Sequence, residues 1–161
     1  PAEQQLNVKV AGATIFKSVL EIAYVGLSAE MLGVTEQAFA MTIQYLKERQ
    51  QFGVLIGTYQ ALQHRAAKMF SEIELCKSIV LKALQAIDTV DENRSKYASL
   101  AKAKLGVTIK LVTNEAIQMH GGIGVTDDAD IGFYMKRARV LQQLFGDYNY
   151  HLDVVSQLKG Y

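Results

Sequence analysis

Across 161 residues the chain has one proline, at position 1, one cysteine, Cys76, and no tryptophan. After Pro1, therefore, no residue breaks a helix for want of a backbone donor. A single cysteine excludes an internal disulfide framework and fits a reducing, cytoplasmic compartment. Charge of one sign is scarce as well: 17 Lys plus Arg against 16 Asp plus Glu leave a net charge of +1. No basic run offers itself to nucleic acid, and no stretch approaches the roughly 20 apolar residues of a membrane span. The start carries no signal-peptide pattern. The three histidines, His64, His120 and His151, are scattered and form no ligand pair at helical spacing with a carboxylate, so no metal site is expected. There is no GxSxG elbow, and the glycines do not make GxGxxG after a strand, which argues against a serine hydrolase and against a Rossmann site.

What is present is helical periodicity. Half of the residues are hydrophobic, and the length suits one domain with a sizeable core. Leu62, Ala66, Met69, Ile73, Cys76, Val80, Ala83 and Ile87 recur at alternating steps of four and three, which predicts a helix over 59–87 with Thr58 as its N-cap. A second helix is predicted over about 92–120, with Leu105, Ile109, Val112, Ala116 and Met119 on one face and Lys102, Lys104 and Lys110 largely off it. The run 13–49 is apolar nearly all round up to Leu32, which suggests burial on more than one side. It then turns amphipathic, with Phe39, Ile43 and Leu46 inward. A last helical segment covers 131–158, kinked or broken at Gly146, and residues 5–11 read as a short strand or an extended lead-in. Four long helices joined by short, breaker-rich connections make an all-α antiparallel four-helix bundle, a single domain over 1–161.

Two stretches stand out from this scaffold. Gln118-Met119-His120-Gly121-Gly122-Ile123-Gly124 ends the third helix. It reads either as a plain helix stop or as bare backbone that lets an extended polar ligand approach. Arg49-Gln50-Gln51-Phe52-Gly53 ends the first helix, and Tyr59-Gln60 opens the next. Here Arg49 can cap a helix C-terminus or hold a phosphate through paired donors. Phe52 can plug the bundle end or stack on a flat ring, and the new helix offers free N–H groups to an anion.

Arg-x-x-Phe-Gly, then Gln seven residues later, then Gln-x-x-Gly-Gly-x-Gly far downstream resembles the C-terminal domain of the acyl-CoA dehydrogenases, from about Ala11 to Leu158. The resemblance implies an FAD-dependent oxidoreductase that introduces an α,β double bond into an acyl-CoA thioester, chemistry of the kind used in fatty acid β-oxidation. It implies a helical domain that assembles into homo- or hetero-oligomers, dimers or tetramers, and contributes FAD contacts across the subunit boundary. By motif position, Arg49 would meet the FAD pyrophosphate and Phe52 its adenine end. Gln60 would hydrogen-bond the cofactor, and Gln118, Gly121 and Gly122 would pack against the neighbouring subunit's FAD. Because 161 residues do not hold the family's other domains, and the chain starts Pro1-Ala2 without Met, it reads as the C-terminal fragment of a longer flavoprotein. Such a fragment is expected to fold, to bind FAD weakly or not at all, and to be inactive alone.

The departures from the family are specific. The usual catalytic Glu precedes a Gly-Thr pair, and here that position is Phe145; a minority places it on the first long helix, and here that position is Ala23. Glu21 and Asp147 are the nearest candidate replacements. Against that role, Glu21 also reads as a surface or ion-paired carboxylate and Asp147 as a helix N-cap. Leu20, Tyr24, Leu144 and Phe145 would line the acyl side. The tail, with Tyr134-Met135-Lys136-Arg137, Phe145-Gly146-Asp147 and His151-Leu152, resembles small subunits of heteromeric members such as pimeloyl-CoA dehydrogenase. This branch implies an assembly subunit whose partner supplies the base.

Overall fold

The computed structural model describes residues 11–161 and is all-α apart from one small hairpin. The lead-in expected at 5–11 lies outside the described residues but for Ala11. Helix α1 spans Gly12–Glu48, α2 Gln60–Asp88, α3 Arg94–His120, α4 Ile131–Gln143 and α5 Tyr148–Lys159. Helix α3 is the central element and packs against each of the other four.

Where the sequence repeats every three or four residues, the core follows it. On α2, Met69, Ile73, Cys76, Val80 and Ala83 are buried, and on α3, Leu105, Ile109, Val112, Ala116 and Met119. Met31, Cys76, Leu105, Ile109 and Leu141 meet in the middle of the bundle, while Leu46, Met69, Val112, Met119 and Ile131 close one end. Leu46 on α1 is buried, with Phe39 and Ile43 half-buried against the same cluster.

Four local readings are corrected. Thr58 does not cap α2: it lies in a 3-10 turn, Ile56–Thr58, and its hydroxyl donates to the Leu55 carbonyl at 2.7 Å, leaving Tyr59 as the N-cap residue without a side-chain bond. The breaker-rich connection before it forms an antiparallel hairpin, β1 (Gln50–Gln51) with β2 (Val54–Leu55), Gln50 opposite Leu55. The N-terminal half of α1 is buried on one side only, because Phe16, Val19 and Ile22 are exposed. Lys102 lies inside the protein. It faces the break in the last helical segment, where residues 144–147 separate α4 from α5. Phe145 and Gly146 both take positive φ there, 55° and 106°.

Candidate functional site

The two motif-bearing segments converge at one end of the bundle. Helix α1 ends because Arg49 goes extended, its N–H donating to the Tyr45 carbonyl at 2.9 Å. The chain then turns through the hairpin, and the Ile56 N–H donates back to the Arg49 carbonyl at 2.9 Å. Phe52 sits at the hairpin tip with φ 54° and is 92% exposed, so it does not plug the bundle. Opposite, α3 ends at Gly121, whose φ of 67° and ψ of −143° suit glycine alone. Tyr45 and His120 staple the two walls together. Their rings stack at 4.4 Å, the Tyr45 hydroxyl donates to the His120 carbonyl at 3.2 Å, and His120 Nδ1 donates to the Ala116 carbonyl at 2.7 Å.

Between these walls lies a cavity of about 590 Å³. It is lined by Arg49, Phe52, Gln118, Gly121 and Gly122, five of the six residues singled out for a cofactor. Gln60, the sixth, is exposed on the first turn of α2 and is not part of the lining. His120, inside the glycine motif, also lines the cavity, as do Tyr45 and Arg65, which were missed in the sequence. Tyr45 stands one helical turn before Arg49, and that spacing was the available signal. Two guanidinium groups face the cavity. Arg65 is paired with Glu115, whereas Arg49 has no carboxylate partner among the described residues. The cavity therefore carries a net positive centre suited to an anionic ligand.

The three glycines have different reasons. Gly121 is needed for its backbone angles. Gly124 is needed for packing, since a Cβ would stand 2.7 Å from the Ile117 carbonyl oxygen and 2.9 Å from His120 Cβ. Gly124→Ala is therefore expected to cost about 2 kcal/mol, in the range of overpacked sites, measured as a lowered urea midpoint. Gly122 has no such reason among the described residues: its φ is not positive, and a Cβ would meet none of their atoms within 4 Å. Its bare backbone faces open cavity.

The profile of the acyl-CoA dehydrogenase C-terminal domain matches residues 11–158. The chain belongs to that family. It is 36% identical over 120 residues to the acyl-CoA dehydrogenase IpdE2 of Mycolicibacterium smegmatis, covering 74% of this chain and 37% of that one. It is 31% identical over 161 residues to the mitochondrial short/branched chain specific acyl-CoA dehydrogenase of Bos taurus, covering 94% and 37%. Among solved structures, butyryl-CoA dehydrogenase from Megasphaera elsdenii superposes with a TM-score of 0.93 at 28% identity, covering 99% of this chain and 41% of that one. The chain thus spans well under half the length of these relatives.

At the other end of the bundle the candidate carboxylates are already engaged. Glu21 is buried, paired with Arg94 at 2.8 Å and bound by the Ser95 hydroxyl. Asp147 caps α5, accepting from the Tyr150 N–H at 2.9 Å. Ala23 is half-buried, and Phe145 is exposed. Behind the Phe145 turn, burial and the nearby Tyr150 push the Tyr24 phenol up to about 12. His151 is completely buried, with no hydrogen-bond partner for either ring nitrogen among the described residues, wedged edge-on against the Tyr24 and Tyr150 rings. No group of three or more His, Cys, Asp or Glu side chains among the described residues is placed to hold a metal ion. No helix among the described residues is long and apolar enough to cross a membrane.

Proposed function

We propose that this chain is the C-terminal domain of an FAD-dependent acyl-CoA dehydrogenase, and that the cavity at the Arg49 end takes part of the FAD of an assembled oligomer. The supporting observation is the convergence of Arg49, Phe52, Gln118, Gly121 and Gly122 on one cavity from segments about 70 residues apart. Gly122 fits a ligand that comes close, because a Cβ would fill the space without touching the protein. Arg49 would hold the pyrophosphate through charge-assisted bonds, Phe52 would offer its face to the adenine, and Gln118 would give amide bonds from the other wall. Gln60, outside the cavity, would reach the cofactor only from the neighbouring subunit's side. A bound FAD would supply the hydride acceptor for α,β-dehydrogenation. Acyl-CoA would lie toward Leu20, Tyr24, Leu144 and Phe145.

A second reading concerns the base. Phe145 and Ala23 carry no titratable group, and Glu21 and Asp147 are each held by partners within the fold. We infer that this chain lacks the usual catalytic carboxylate and serves as an assembly and cofactor-binding subunit in a cytoplasmic enzyme, with a partner subunit supplying the base. Purification of the full protein with its partner, followed by FAD absorbance and acyl-CoA turnover, tests both readings. Arg49→Ala is expected to weaken FAD binding 10- to 100-fold, the loss of about 1.5–3 kcal/mol typical of hydrogen bonds to a charged group. Unchanged FAD content would sink the cofactor assignment. Turnover by a homomeric protein that dies with Glu21→Gln and with Asp147→Asn would sink the missing base.

A further inference from the structure

A lysine inside a helical bundle needs a reason, because burying a charge without partners is costly. Lys102 on α3 is 2% exposed, and its partners are all backbone carbonyls: Leu141 at 2.9 Å, Gln142 at 3.3 Å and Gly146 at 3.0 Å. The first two belong to the last turn of α4, where carbonyls have no partner within the helix. The third belongs to the turn beyond it. One ammonium with three donors thus binds three acceptors that the end of α4 leaves free. A cation at a helix C-terminus is also favoured by the helix dipole.

The turn so gathered holds two positive-φ residues in succession, Phe145 at 55° and Gly146 at 106°. A phenylalanine in that region is strained, and such a conformation persists only where the surroundings impose it. Backbone bonds tie the start of the turn to α4, Leu144 N–H to the Val140 carbonyl at 3.1 Å and Gly146 N–H to the Gln143 carbonyl at 3.3 Å. Its end is tied to α5, where the Asp147 carbonyl accepts from the His151 N–H at 3.2 Å and the Asp147 carboxylate from the Tyr150 N–H at 2.9 Å; none of these four joins it to α3. A second tie, Gln142 Nε2 to the Gly106 carbonyl at 2.7 Å, holds α4 to α3 but does not reach the turn. Among the described residues, only Lys102 joins the end of α4, the turn and α3 at one point.

We propose that Lys102 is a positioning residue for the Leu144–Asp147 turn, its ammonium fixing where Phe145 stands. Its meaning for catalysis rests on the reading above that Phe145 faces the acyl side; the clamp itself rests on the contacts. The ionisable groups facing it are Asp147 and His151 from the turn and α5, with Tyr150 beside them and Tyr24 from α1. Burial holds Lys102 down at about 8, although Asp147 pulls it up. On raising the pH from 7 to 9.5 the ammonium becomes an amine with two donors, and one of the three carbonyls loses its bond. Over that range His151, held near 4, stays neutral, and Tyr24, near 12, keeps its proton. The effect on global stability has the opposite sign. Unfolded Lys102 takes a proton up to its ordinary 10.5, so between about 8 and 10.5 the unfolded state binds more protons and this group favours folding as pH rises.

Amide hydrogen exchange over peptides spanning 144–150 of the intact protein tests the clamp. Lys102→Met is expected to speed exchange there at least tenfold, and Lys102→Arg, which keeps the cation, to stay within threefold of the parent. Exchange in Lys102→Met within twofold of the parent overturns the proposal. So does Lys102→Arg exchanging as fast as Lys102→Met, because that would show that shape and not charge holds the turn. If Lys102→Met does not fold, the parent decides, labelled with 4-fluorophenylalanine. The Phe145 resonance, assigned by Phe145→Leu, is expected to shift with a midpoint near 8, while that of Phe70 on α2 stays in place. A Phe145 resonance that does not move between pH 7 and 9.5 overturns the proposal. Neither readout uses FAD or acyl-CoA, so a failed clamp leaves the dehydrogenase reading standing, and a protein that binds no FAD leaves the clamp standing.

Discussion

Acidification from pH 7 to pH 4 is expected to remove about 3 kcal/mol of stability through His151 alone. Burial, and then the neighbouring Lys102 charge, hold the imidazole down at about 4, against an ordinary value of 6.5. The folded state therefore refuses a proton that the unfolded chain accepts. The sign follows: between pH 6.5 and 4 the unfolded state binds more protons, so stability is full above 6.5 and drains as pH falls toward 4. The magnitude is the 2.5-unit displacement at 1.36 kcal/mol per unit. Carboxylates titrate in the same range, so the measurement is a comparison. Urea midpoints of the parent and of His151→Gln are taken at pH 7, 6, 5 and 4. The variant's acid limb is expected to be shallower by that amount. Parallel limbs would show that His151 does not carry the acid sensitivity.

Gly146→Ala is expected to cost about 3–4 kcal/mol, the sum of a disallowed backbone region and an overpacked contact. The φ of 106° is one that L side chains rarely adopt, and a Cβ there would stand 2.3 Å from Cδ1 of Tyr150. The Tyr150 ring can swing aside, being half-exposed, but it then leaves its edge contact on His151 at 5.0 Å. The Gly146 carbonyl, one of the three on Lys102, would also move. Calorimetry compares the variant with Gly132→Ala, a glycine in α4 whose Cβ would meet nothing within 4 Å. Equal melting temperatures for the two would refute the argument.

The parts of this fold that the sequence discloses are those whose surroundings repeat. Helix α2 buries one face, so the spacing of Met69, Ile73, Cys76 and Val80 is enough; α3 is buried on several sides, and the spacing of Leu105, Ile109 and Val112 discloses only one of them. Thr58 misled because the 3-10 turn before α2 spends its hydroxyl on Leu55, a competition that residue type does not display. Lys102 misled for a stronger reason. A lysine reads as surface, and what makes burial tolerable is a helix end 39 residues away in the chain. The exposed Phe16, Val19 and Ile22 show the reverse limit: apolar spacing says that a face wants covering, not what covers it.

The motif residues were legible as a pattern carried by a resemblance, and five of the six meet in one cavity. Arg65 was not legible, because its partner Glu115 lies 50 residues on. At the other end the sequence says only that Phe145 and Ala23 carry no titratable group. The engagement of Glu21 by Arg94 and Ser95 needed the structure, since those partners lie more than 70 residues away.

The burial of Lys102 has a consequence for chemical labelling. An amine held near 8 is, by its free-base fraction, a strong nucleophile at mildly alkaline pH. Yet its nitrogen is enclosed by three carbonyls and shielded from any reagent in solution. Acylating reagents that mark the surface lysines in minutes reach Lys102 only when the end of α4 lifts away. The rate at which this one side chain is modified is therefore a direct clock of that opening.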